Sequence, residues 1–387
     1  MQKRTFMDTE ERADHEAAVP KIQKYPLTSF KGSGDTSTKR LKLSSESQEG
    51  KSNLERQYFT SYEDLGVHLE MIRDVSRTNT YRLAILKSFD KIAGKVVADI
   101  GAGTGILSCF CVQAGARKVY AIEASSIAEK AKEVIIQNKM DDKIEIIKGR
   151  VEEINLPEKV DVIVSEWMGY SLLYESMLNS VICARDKWLK AGGWMLPSSA
   201  HIFIAPFTDD SVQQERVDYW KKTADLYGVD MSCLVPHAKK SLTNHIQIEL
   251  IEDCDLIARA CKCIDLDLNT VQEKDLKQIQ GRFHFDCFGS DKLSGFVTWF
   301  TTAFNSVDPD KEPVLLSTAP SSQPTHWRQS LMYLEDSIDV QQGTTLEGSV
   351  TLSPNPSNAR FLDVNLRFTI DGKDEKSNVY QLNDGLP

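Results

Sequence analysis

The sequence predicts two successive folds, an α/β fold built on a doubly wound parallel sheet and then a β-barrel. Between about residues 54 and 197, apolar strand-like runs alternate with helical patterns, which is typical of parallel sheets. A Gly-rich turn follows the first of these runs, at the place where such sheets bind their ligands. After residue 197 the pattern changes to many short strands separated by Gly, Pro and Asp, which favours a barrel or sandwich.

Local periodicity predicts the individual elements. Apolar residues at helical spacing predict helices over residues 68–75 and 81–86, and β-branched runs then predict four buried strands. These strands are 96–100, 119–122, 144–147 and 160–164. In the second fold the predicted strands are 200–205, 246–250, 281–288, 295–303, 314–316, 331–334, 345–352 and 361–370, with one helical insertion at about 209–234.

The N-terminal residues 1–53 are polar, rich in Lys, Glu, Ser and Thr, and are predicted to be a disordered tail. Within this tail, Lys39-Arg40-Leu41-Lys42 is a short basic cluster, and both a nuclear import signal and an ordinary solvated tail stay open for it. No apolar segment follows Met1, and no run of 18 apolar residues occurs, so we expect neither a classical secretion signal nor a membrane span.

Charge and cysteine usage narrow the classes of partner. The 387-residue chain has a formal net charge of −10, which disfavours direct binding to nucleic acid and favours basic partners such as Arg-rich tails. Its eight cysteines show no CxxC spacing, so neither a zinc site nor a disulfide framework is expected. We predict no bound metal and a reducing compartment.

The Gly-rich turn is a candidate cofactor site. Its glycines alternate as Gly101-Ala102-Gly103-Thr104-Gly105 after a buried strand that contains Asp99, so the G-x-G-x-x-G spacing of dinucleotide-binding turns is absent. Glu123 ends the second predicted strand, where an acid is placed to bind ribose hydroxyls. On the glycines alone, a generic turn without a ligand remains an alternative.

Two acids flank an apolar stretch after the fourth strand. Glu166 and Glu175 enclose Trp167-Met168-Gly169-Tyr170, and no Lys or Arg lies between Lys159 and Arg185. Buried carboxylates are costly without a cationic or hydrogen-bonding partner. A guanidinium on a substrate would suit them, since it can meet carboxylates in bidentate fashion. The alternative is that the acids cap a helix or pair with a distant arginine of the chain.

This stretch resembles the double-E loop of protein arginine methyltransferases, and the Gly-rich turn is similar to motif I of S-adenosylmethionine-dependent methyltransferases. Pro324-Thr325-His326-Trp327 resembles the family's T-H-W loop, with Arg328 where lysine is common. The resemblance covers about residues 58–366. It implies a Rossmann-like methyltransferase domain at 54–197, then a β-barrel substrate domain at 198–387 with a helical dimerisation arm at about 209–234.

The resemblance also implies an activity. It is the transfer of methyl groups from S-adenosylmethionine to the guanidino nitrogens of arginine, with S-adenosylhomocysteine as the second product. The expected substrates are histone tails and Arg/Gly-rich proteins, and the type I subclass gives mono- and asymmetric dimethylarginine. A homodimer is expected, with Trp220 and Tyr227 as anchors of the arm, unless the arm helix packs on its own barrel. The expected compartment is the nucleus, with the cytoplasm as a second one.

The site residues carried over from the family fall into three groups. The catalytic group is Glu166, Glu175, His326 and Asp74. The two glutamates bind the guanidinium. His326 pairs with Asp74, and it either accepts the proton or mainly fastens its loop to the N-terminal helix. In the cofactor-binding group, Arg77 is expected to hold the methionine carboxylate, and Val151 and Glu152 are expected to contact adenine. The full group is Tyr62, His68, Met71, Arg77, Asp99, Gly101, Gly103, Gly105, Glu123, Val151 and Glu152. The substrate-binding group is Tyr58, Tyr62, Met71, Met168, Tyr170, Met177 and Trp327.

Two other functions are weighed against this one. A nucleic-acid or small-molecule methyltransferase would share the cofactor half. Base-amine methyltransferases resemble one another in an Asn/Asp-Pro-Pro-Tyr/Phe turn after the fourth strand, where this chain has Ser165-Glu166-Trp167-Met168. A non-enzymatic adaptor would keep the fold with a decayed site, and it should then fail to bind S-adenosylhomocysteine.

Overall fold

The structure is a computed structural model, and it describes residues 55–56, 58–209, 211–306, 308 and 310–383. The predicted disordered tail at 1–53 and the basic cluster at 39–42 lie outside the described residues. Among the described helices, none is long and apolar enough to cross a membrane.

The first domain is a five-stranded parallel sheet with the strand order β3-β2-β1-β4-β5. Its strands are β1 Val96–Ile100, β2 Lys118–Glu123, β3 Ile144–Lys148, β4 Val160–Ser165 and β5 Leu189–Leu196. Residues 58–61 are helical, and the longer helices are α1 Leu65–Arg73, α2 Val75–Lys87, α3 Phe89–Ile92, α4 Ile106–Gln113, α5 Ile127–Gln137 and α6 Leu178–Trp188. The predicted doubly wound sheet is confirmed.

The four predicted strands of this sheet are present within a residue at either end, whereas β5 was not predicted. Its Gly192 and Gly193 interrupt the apolar pattern, and the pairing with β4 shifts register across them, from Val160 opposite Leu189 to Val162 opposite Trp194. Two adjacent glycines in a short strand look like a turn in sequence, because glycine weakens strands and marks bulges.

The second domain consists of two antiparallel sheets. One has the order β7-β12-β10-β6-β8, with β11 paired to β10, and the other has the order β15-β14-β13-β9. The strands are β6 Ser199–Phe207, β7 Gln247–Glu249, β8 Cys261–Asp267, β9 Ile279–Asp286, β10 Asp291–Phe304, β11 Val314–Ser317, β12 Gln329–Val340, β13 Thr345–Pro354, β14 Leu362–Ile370 and β15 Lys373–Leu382. Phe296 of β10 contacts the rings of Phe283, Phe285 and Phe368, so aromatic packing joins the two sheets into the predicted barrel.

Strands β8 and β15 were not predicted. Both carry charged residues along an exposed face, and β15 begins Lys373-Asp374-Glu375-Lys376 at the edge of its sheet. Edge strands of natural proteins often carry such charges. The charges interrupt the alternation of apolar and polar residues from which strands are predicted.

The helical insertion begins near its predicted start but continues ten residues further than predicted. It comprises a π-helical turn Gln213–Val217, α7 Tyr219–Tyr227, a 3₁₀ turn Ser232–Leu234 and α8 Val235–Asn244. Pro236 lies in the first turn of α8, where proline is tolerated, although in sequence it reads as a break.

Candidate active site

One cavity lies at the carboxyl edge of the parallel sheet, where the strand order reverses between β1 and β4. This is the position at which open α/β sheets bind ligands. The predicted site residues that line it are Tyr58, Tyr62, His68, Met71, Arg77, Gly101, Gly103, Glu123, Val151, Glu152, Glu166, Met168, Tyr170, Glu175, Met177, His326 and Trp327. Asp74, Asp99 and Gly105 are predicted with them but do not line the cavity.

The Gly-rich turn brings its backbone against side chains of two other elements. A methyl group added to Gly101 would lie 2.2 Å from Met177, and one added to Gly103 would lie 3.2 Å from the His68 ring. The Gly103 N–H donates a 2.8 Å hydrogen bond to Glu123 at the end of β2. Bare backbone and one fixed carboxylate at this edge suit a ligand that carries hydroxyl groups, such as a nucleoside.

Asp99 of β1 connects the strand before this turn to α4, the helix after it. Its side chain is fully buried and accepts a 2.7 Å hydrogen bond from the Ser108 hydroxyl of α4, while its Oδ1 has no partner. Burial raises the pKa of Asp99 to about 7, and the hydrogen bond from Ser108 opposes this only in part. Gly105, with a φ of +84°, is the left-handed residue immediately before α4. Both residues therefore contact the turn and not the cavity.

The loop with Val151 and Glu152 is fastened to α6. The Lys187 ammonium group donates to the carbonyl oxygens of Val151 at 3.1 Å and Glu152 at 2.7 Å. The Ser180 hydroxyl donates a 2.7 Å hydrogen bond to the Glu152 carboxylate. Since α6 follows the loop of Glu166 and Glu175, one helix connects the predicted adenine contacts with the predicted acceptor site.

Glu166 has a cationic partner inside the chain. Its Oε2 accepts hydrogen bonds from Arg77 Nη2 at 2.7 Å and Nε at 3.0 Å, and its Oε1 accepts one from the Met168 N–H at 3.1 Å. A cationic partner from the substrate is therefore not the whole explanation for Glu166. The alternative, a distant arginine of the chain, is present in the structure as Arg77. Arg77 keeps N–H capacity to spare, since its Nη1 makes only a 3.4 Å contact with the Met71 carbonyl.

Glu175 lines the same cavity, and no lysine or arginine among the described residues forms such an ion pair with its carboxylate. The Tyr62 hydroxyl donates a 2.6 Å hydrogen bond to its Oε2. Burial raises the pKa of Glu175, and hydrogen bonds from Tyr62 and Tyr58 partly oppose the rise. The carboxylate of Glu166 acts in the direction of burial, and the cation of Arg360 acts against it. An extra cation in this cavity would favour the ionised carboxylate.

Asp74 joins the N-terminal helices to the T-H-W loop. Its Oδ1 caps α2 by accepting the Arg77 N–H at 2.9 Å, and its Oδ2 accepts from the His326 N–H at 2.9 Å and ring Nδ1 at 2.7 Å. Burial alone would raise the pKa of Asp74, but these hydrogen bonds together hold it below its ordinary value. One carboxylate thereby sets the positions of both Arg77 and His326.

Two further contacts bind the barrel to the loop after β4. The Trp327 indole N–H donates a 2.9 Å hydrogen bond to the Met168 carbonyl, and the hydroxyls of Ser171 and Ser330 lie 2.7 Å apart. Trp327 is buried and its ring stacks edge-on to Phe300 of β10. The predicted acceptor loop is therefore held between the two domains.

Arg360 lines the cavity from the barrel side and was not predicted. It lies in the loop between β13 and β14, and its guanidinium sits 3.6 Å from the centre of the Tyr58 ring. Its Nη1 donates to the Glu175 carbonyl at 2.8 Å. The local sequence Asn358-Ala359-Arg360 carries no pattern that would single it out, and only the fold brings it to Glu175.

The arm presents apolar side chains to the surface. Leu226, Tyr227 and Val229 are more than half exposed, Tyr227 at 70%, whereas Trp220 is half-buried. Such a cluster on one insertion is typical of a protein interface. Of the two predicted anchors, Tyr227 is the more exposed.

Two family models match the chain on either side of residue 198. Residues 77–198 match the model described as ribosomal protein L11 methyltransferase (PrmA), and residues 198–373 match the arginine methyltransferase oligomerization subdomain. A relative in Danio rerio, named protein arginine N-methyltransferase 6, is 48% identical over 328 residues, which are 84% of this chain and 93% of the relative. The chain belongs to the protein arginine N-methyltransferase family.

Further members of the family agree with this assignment. Protein arginine N-methyltransferase 6 of Xenopus tropicalis is 46% identical over 327 residues, which are 84% of this chain and 95% of the relative. Among solved structures, a Trypanosoma brucei PRMT1 enzyme–prozyme heterotetrameric complex with AdoHcy has a TM-score of 0.76 and 36% identity, over 84% of this chain and 100% of that one. A crystal structure of PRMT6 has a TM-score of 0.66 and 30% identity, over 79% of this chain and 100% of that one.

Family membership confirms the predicted activity and cofactor. As a protein arginine methyltransferase, the chain uses S-adenosylmethionine to methylate arginine in proteins, which decides against the nucleic-acid and small-molecule alternatives. The match of residues 198–373 to an oligomerization subdomain supports oligomerisation.

Proposed function

We propose that this arginine methyltransferase is a type I enzyme that converts arginines of histone tails and Arg/Gly-rich proteins to monomethyl- and then asymmetric dimethylarginine. The observation that carries the proposal is a cavity lined by two glutamates, Glu166 and Glu175, together with His326. The negative charge of Glu166 helps to raise the pKa of Glu175. Met71 and Met177 line the same cavity, and we assign to them the shape of the acceptor pocket.

Glu175 is the residue that we expect to grip the acceptor. A protonated guanidinium is a poor nucleophile because its charge is spread over three nitrogens. A carboxylate that holds two of the nitrogens side by side draws charge toward them and leaves the third one richer in electron density. The raised pKa of Glu175 supports this role, since a buried carboxylate without an ion pair is stabilised when a cation enters.

Glu166 would act together with Arg77. The hydrogen bonds of Arg77 to one oxygen of Glu166 leave the other oxygen held only by the Met168 N–H, so an incoming guanidinium can share the carboxylate. The spare Nη1 of Arg77 is the group that we expect to bind the carboxylate of the cofactor's methionine part.

The remaining residues hold the cofactor and the proton. When bound, S-adenosylmethionine supplies a methyl group on a sulfonium centre that a nucleophile attacks in line. Glu123, which accepts the Gly103 N–H, would also accept the ribose hydroxyls, and Gly101 and Gly103 line the cavity beside it. His326, oriented by its 2.7 Å bond to Asp74, would accept the proton that the acceptor loses.

Basic substrates fit the charge of this chain. With a formal net charge of −10, its field attracts Arg-rich tails and disfavours direct contact with nucleic acid. Histone tails are such substrates, and the basic cluster at Lys39-Arg40-Leu41-Lys42 supports nuclear import, with the cytoplasm as the second compartment. Fractionation of cells that express the chain with and without this cluster tests the compartment.

The oligomer that we propose is a homodimer in which the arm of one chain packs on the helices before β1 of the other. Its support is apolar exposure on both surfaces: Leu226 and Tyr227 on the arm, and Leu65, Leu69 and Val75 on α1 and α2. Sedimentation of a Tyr227→Ser variant tests this proposal. The exposed barrel residue Leu315 provides the matched control, Leu315→Ser, which should stay dimeric.

The experiment that tests the proposed function combines one variant with product analysis. Glu175→Gln should lose transfer to an Arg-rich histone-tail peptide while it still binds S-adenosylhomocysteine in a calorimeter. Glu153→Gln is the matched control, because the Glu153 side chain is 67% exposed and lies outside the cavity. Mass spectrometry of the wild-type product should show asymmetric dimethylarginine; the symmetric isomer, or full activity of Glu175→Gln, would overturn the proposal.

A further inference from the structure

Arg360 and Glu175 are joined by two hydrogen bonds that run in opposite directions, one between main-chain groups and one from the Arg360 side chain. The Glu175 N–H donates to the Arg360 carbonyl at 2.7 Å, and Arg360 Nη1 donates to the Glu175 carbonyl at 2.8 Å. The two residues are 185 positions apart and belong to different domains. The barrel thus contacts the main chain of the residue that we expect to grip the acceptor.

Glu175 needs such an external restraint. Its φ is +75° and that of Ser176 is +62°, in the left-handed region that side chains other than glycine rarely adopt. Conformations of this kind persist only where the surroundings over-determine them. The bond that the Glu175 N–H donates to the Arg360 carbonyl and the bond that Arg360 Nη1 donates to the Glu175 carbonyl supply such a constraint on the Glu175 main chain. Only the second bond depends on the guanidinium, so a substitution of Arg360 removes that one.

The same guanidinium also holds the segment that covers the cavity. It lies 3.6 Å from the Tyr58 ring centre, 5.4 Å from that of Phe59, and 3.7 Å from the Glu55 carboxylate. The Tyr58 hydroxyl in turn lowers the pKa of Glu175, in opposition to burial. Arg360 therefore contacts Glu175 directly and also contacts Tyr58, whose hydroxyl favours the ionised carboxylate of Glu175.

We propose that Arg360 is a positioning residue, which holds Glu175 in its reacting conformation and fastens the Tyr58 segment above it, so that the barrel completes the acceptor site. The inference rests on the proposed role of Glu175. Arg360 is half-buried and its Nη1 is engaged with the chain itself, so it acts through Glu175 and not as a binder of the acceptor.

Arg150 provides a contrast within the same segment. Its Nη2 lies 3.0 Å from Glu55 and its guanidinium 5.9 Å from the Phe59 ring, but it makes no described contact with Glu175. It stands beside Val151 in the loop that we assign to adenine. Loss of Arg150 should therefore loosen the covering segment and weaken cofactor binding without disturbing the acceptor carboxylate.

The test compares full-length Arg360→Gln, Arg360→Lys, Arg150→Gln and, as a control on the barrel surface, Arg367→Gln. The first variant should lower kcat with an Arg-rich peptide by roughly 10- to 100-fold, because small displacements of a reacting group cost rates of that order. Its acidic limb of kcat against pH should move to higher pH, since the Arg360 cation lowers the pKa of Glu175. Arg360→Lys keeps a cation and a donor, and it should restore the pH profile and part of the rate.

The other variants separate a positioning role of Arg360 from a general effect on the segment that covers the cavity. Arg150→Gln should raise the KM for the cofactor and leave the pH profile in place, and Arg367→Gln should match the wild type. An Arg360→Gln enzyme with an unmoved pH profile, or a loss that Arg360→Lys does not rescue, would overturn the inference. Glu175→Gln in the same assay separates the two proposals: if it is inactive while Arg360→Gln is normal, only the role of Arg360 fails, and if it is fully active, the proposed function fails first.

Discussion

Arg77 Nη2 lies 2.7 Å from Glu166 Oε2, and both side chains are almost completely buried. This ion pair joins a residue that we assign to the cofactor with one that we assign to the acceptor. A buried pair of this kind is stabilising only when both charges keep good hydrogen-bond partners. The cofactor and acceptor sides of the cavity therefore share the Arg77 guanidinium. A substitution that moves this group should affect the binding of both the cofactor and the acceptor.

Replacement of Arg77 by lysine should damage both sides at once. Lysine keeps the charge but lacks the planar fork that reaches Glu166 through Nε and Nη2 together. We expect S-adenosylhomocysteine affinity and kcat/KM for an Arg-rich peptide to fall by roughly 10-fold or more each, as the loss of one charge-assisted bond implies. Calorimetry and steady-state kinetics measure the two. Arg82→Lys, an exposed arginine of the same helix, is the control; loss of cofactor affinity with normal peptide kinetics would separate the two sites.

The pH dependence of the rate should report on Glu175. Burial raises its pKa, and the Tyr62 hydroxyl partly opposes the rise, so Tyr62→Phe should raise the pKa further. Because the ionised carboxylate is the reactive form, activity is present above that pKa and is lost as the pH falls through it. The variant should lose its activity at a higher pH than the wild type does, with a rate at neutral pH lower by roughly 10-fold from the lost bond. Profiles of kcat/KM against pH measure this, and superimposable acidic limbs would speak against it.

Stability without ligands should depend on pH through Asp99. Its pKa of about 7 in the folded protein lies above the ordinary value of 3.8, so between these values the folded state holds a proton that the unfolded state has lost. The free energy of unfolding should therefore fall as the pH rises from about 4 to 7 and level off above that. Asp99→Asn, which cannot ionise, should be more stable than the wild type at pH 8, by on the order of 4 kcal/mol at most. Urea unfolding at pH 5 and pH 8 compares the two; equal differences at both values would contradict the prediction.

Local patterns were sufficient for the parts of the chain whose neighbours are close in sequence. The strands around Val96 and Val160, the Gly-rich turn and the loop of Glu166 each carry their own signal, and the structure brings these segments to one edge of the sheet. The partner of Glu166 could be stated only as an alternative, because Arg77 is 89 residues away.

Elements without an apolar pattern escaped prediction for a physical reason. Strand β15 exposes its charges at a sheet edge, and the first turn of α8 contains Pro236, a residue type that also marks helix breaks. Arg360 is the clearest case, because nothing near it in sequence distinguishes it from any loop arginine. Its contacts with Glu175 and Tyr58 exist only once both domains have folded.

A crystal structure with S-adenosylhomocysteine and an arginine-containing acceptor peptide tests the central claim most directly. We predict that two guanidino nitrogens of the acceptor will lie within hydrogen-bonding distance of the Glu175 carboxylate, with the third directed at the cofactor's sulfur and Glu166 shared between the acceptor and Arg77. An acceptor arginine bound elsewhere, with Glu166 still paired only to Arg77 and Glu175 only to Tyr62, would contradict the account.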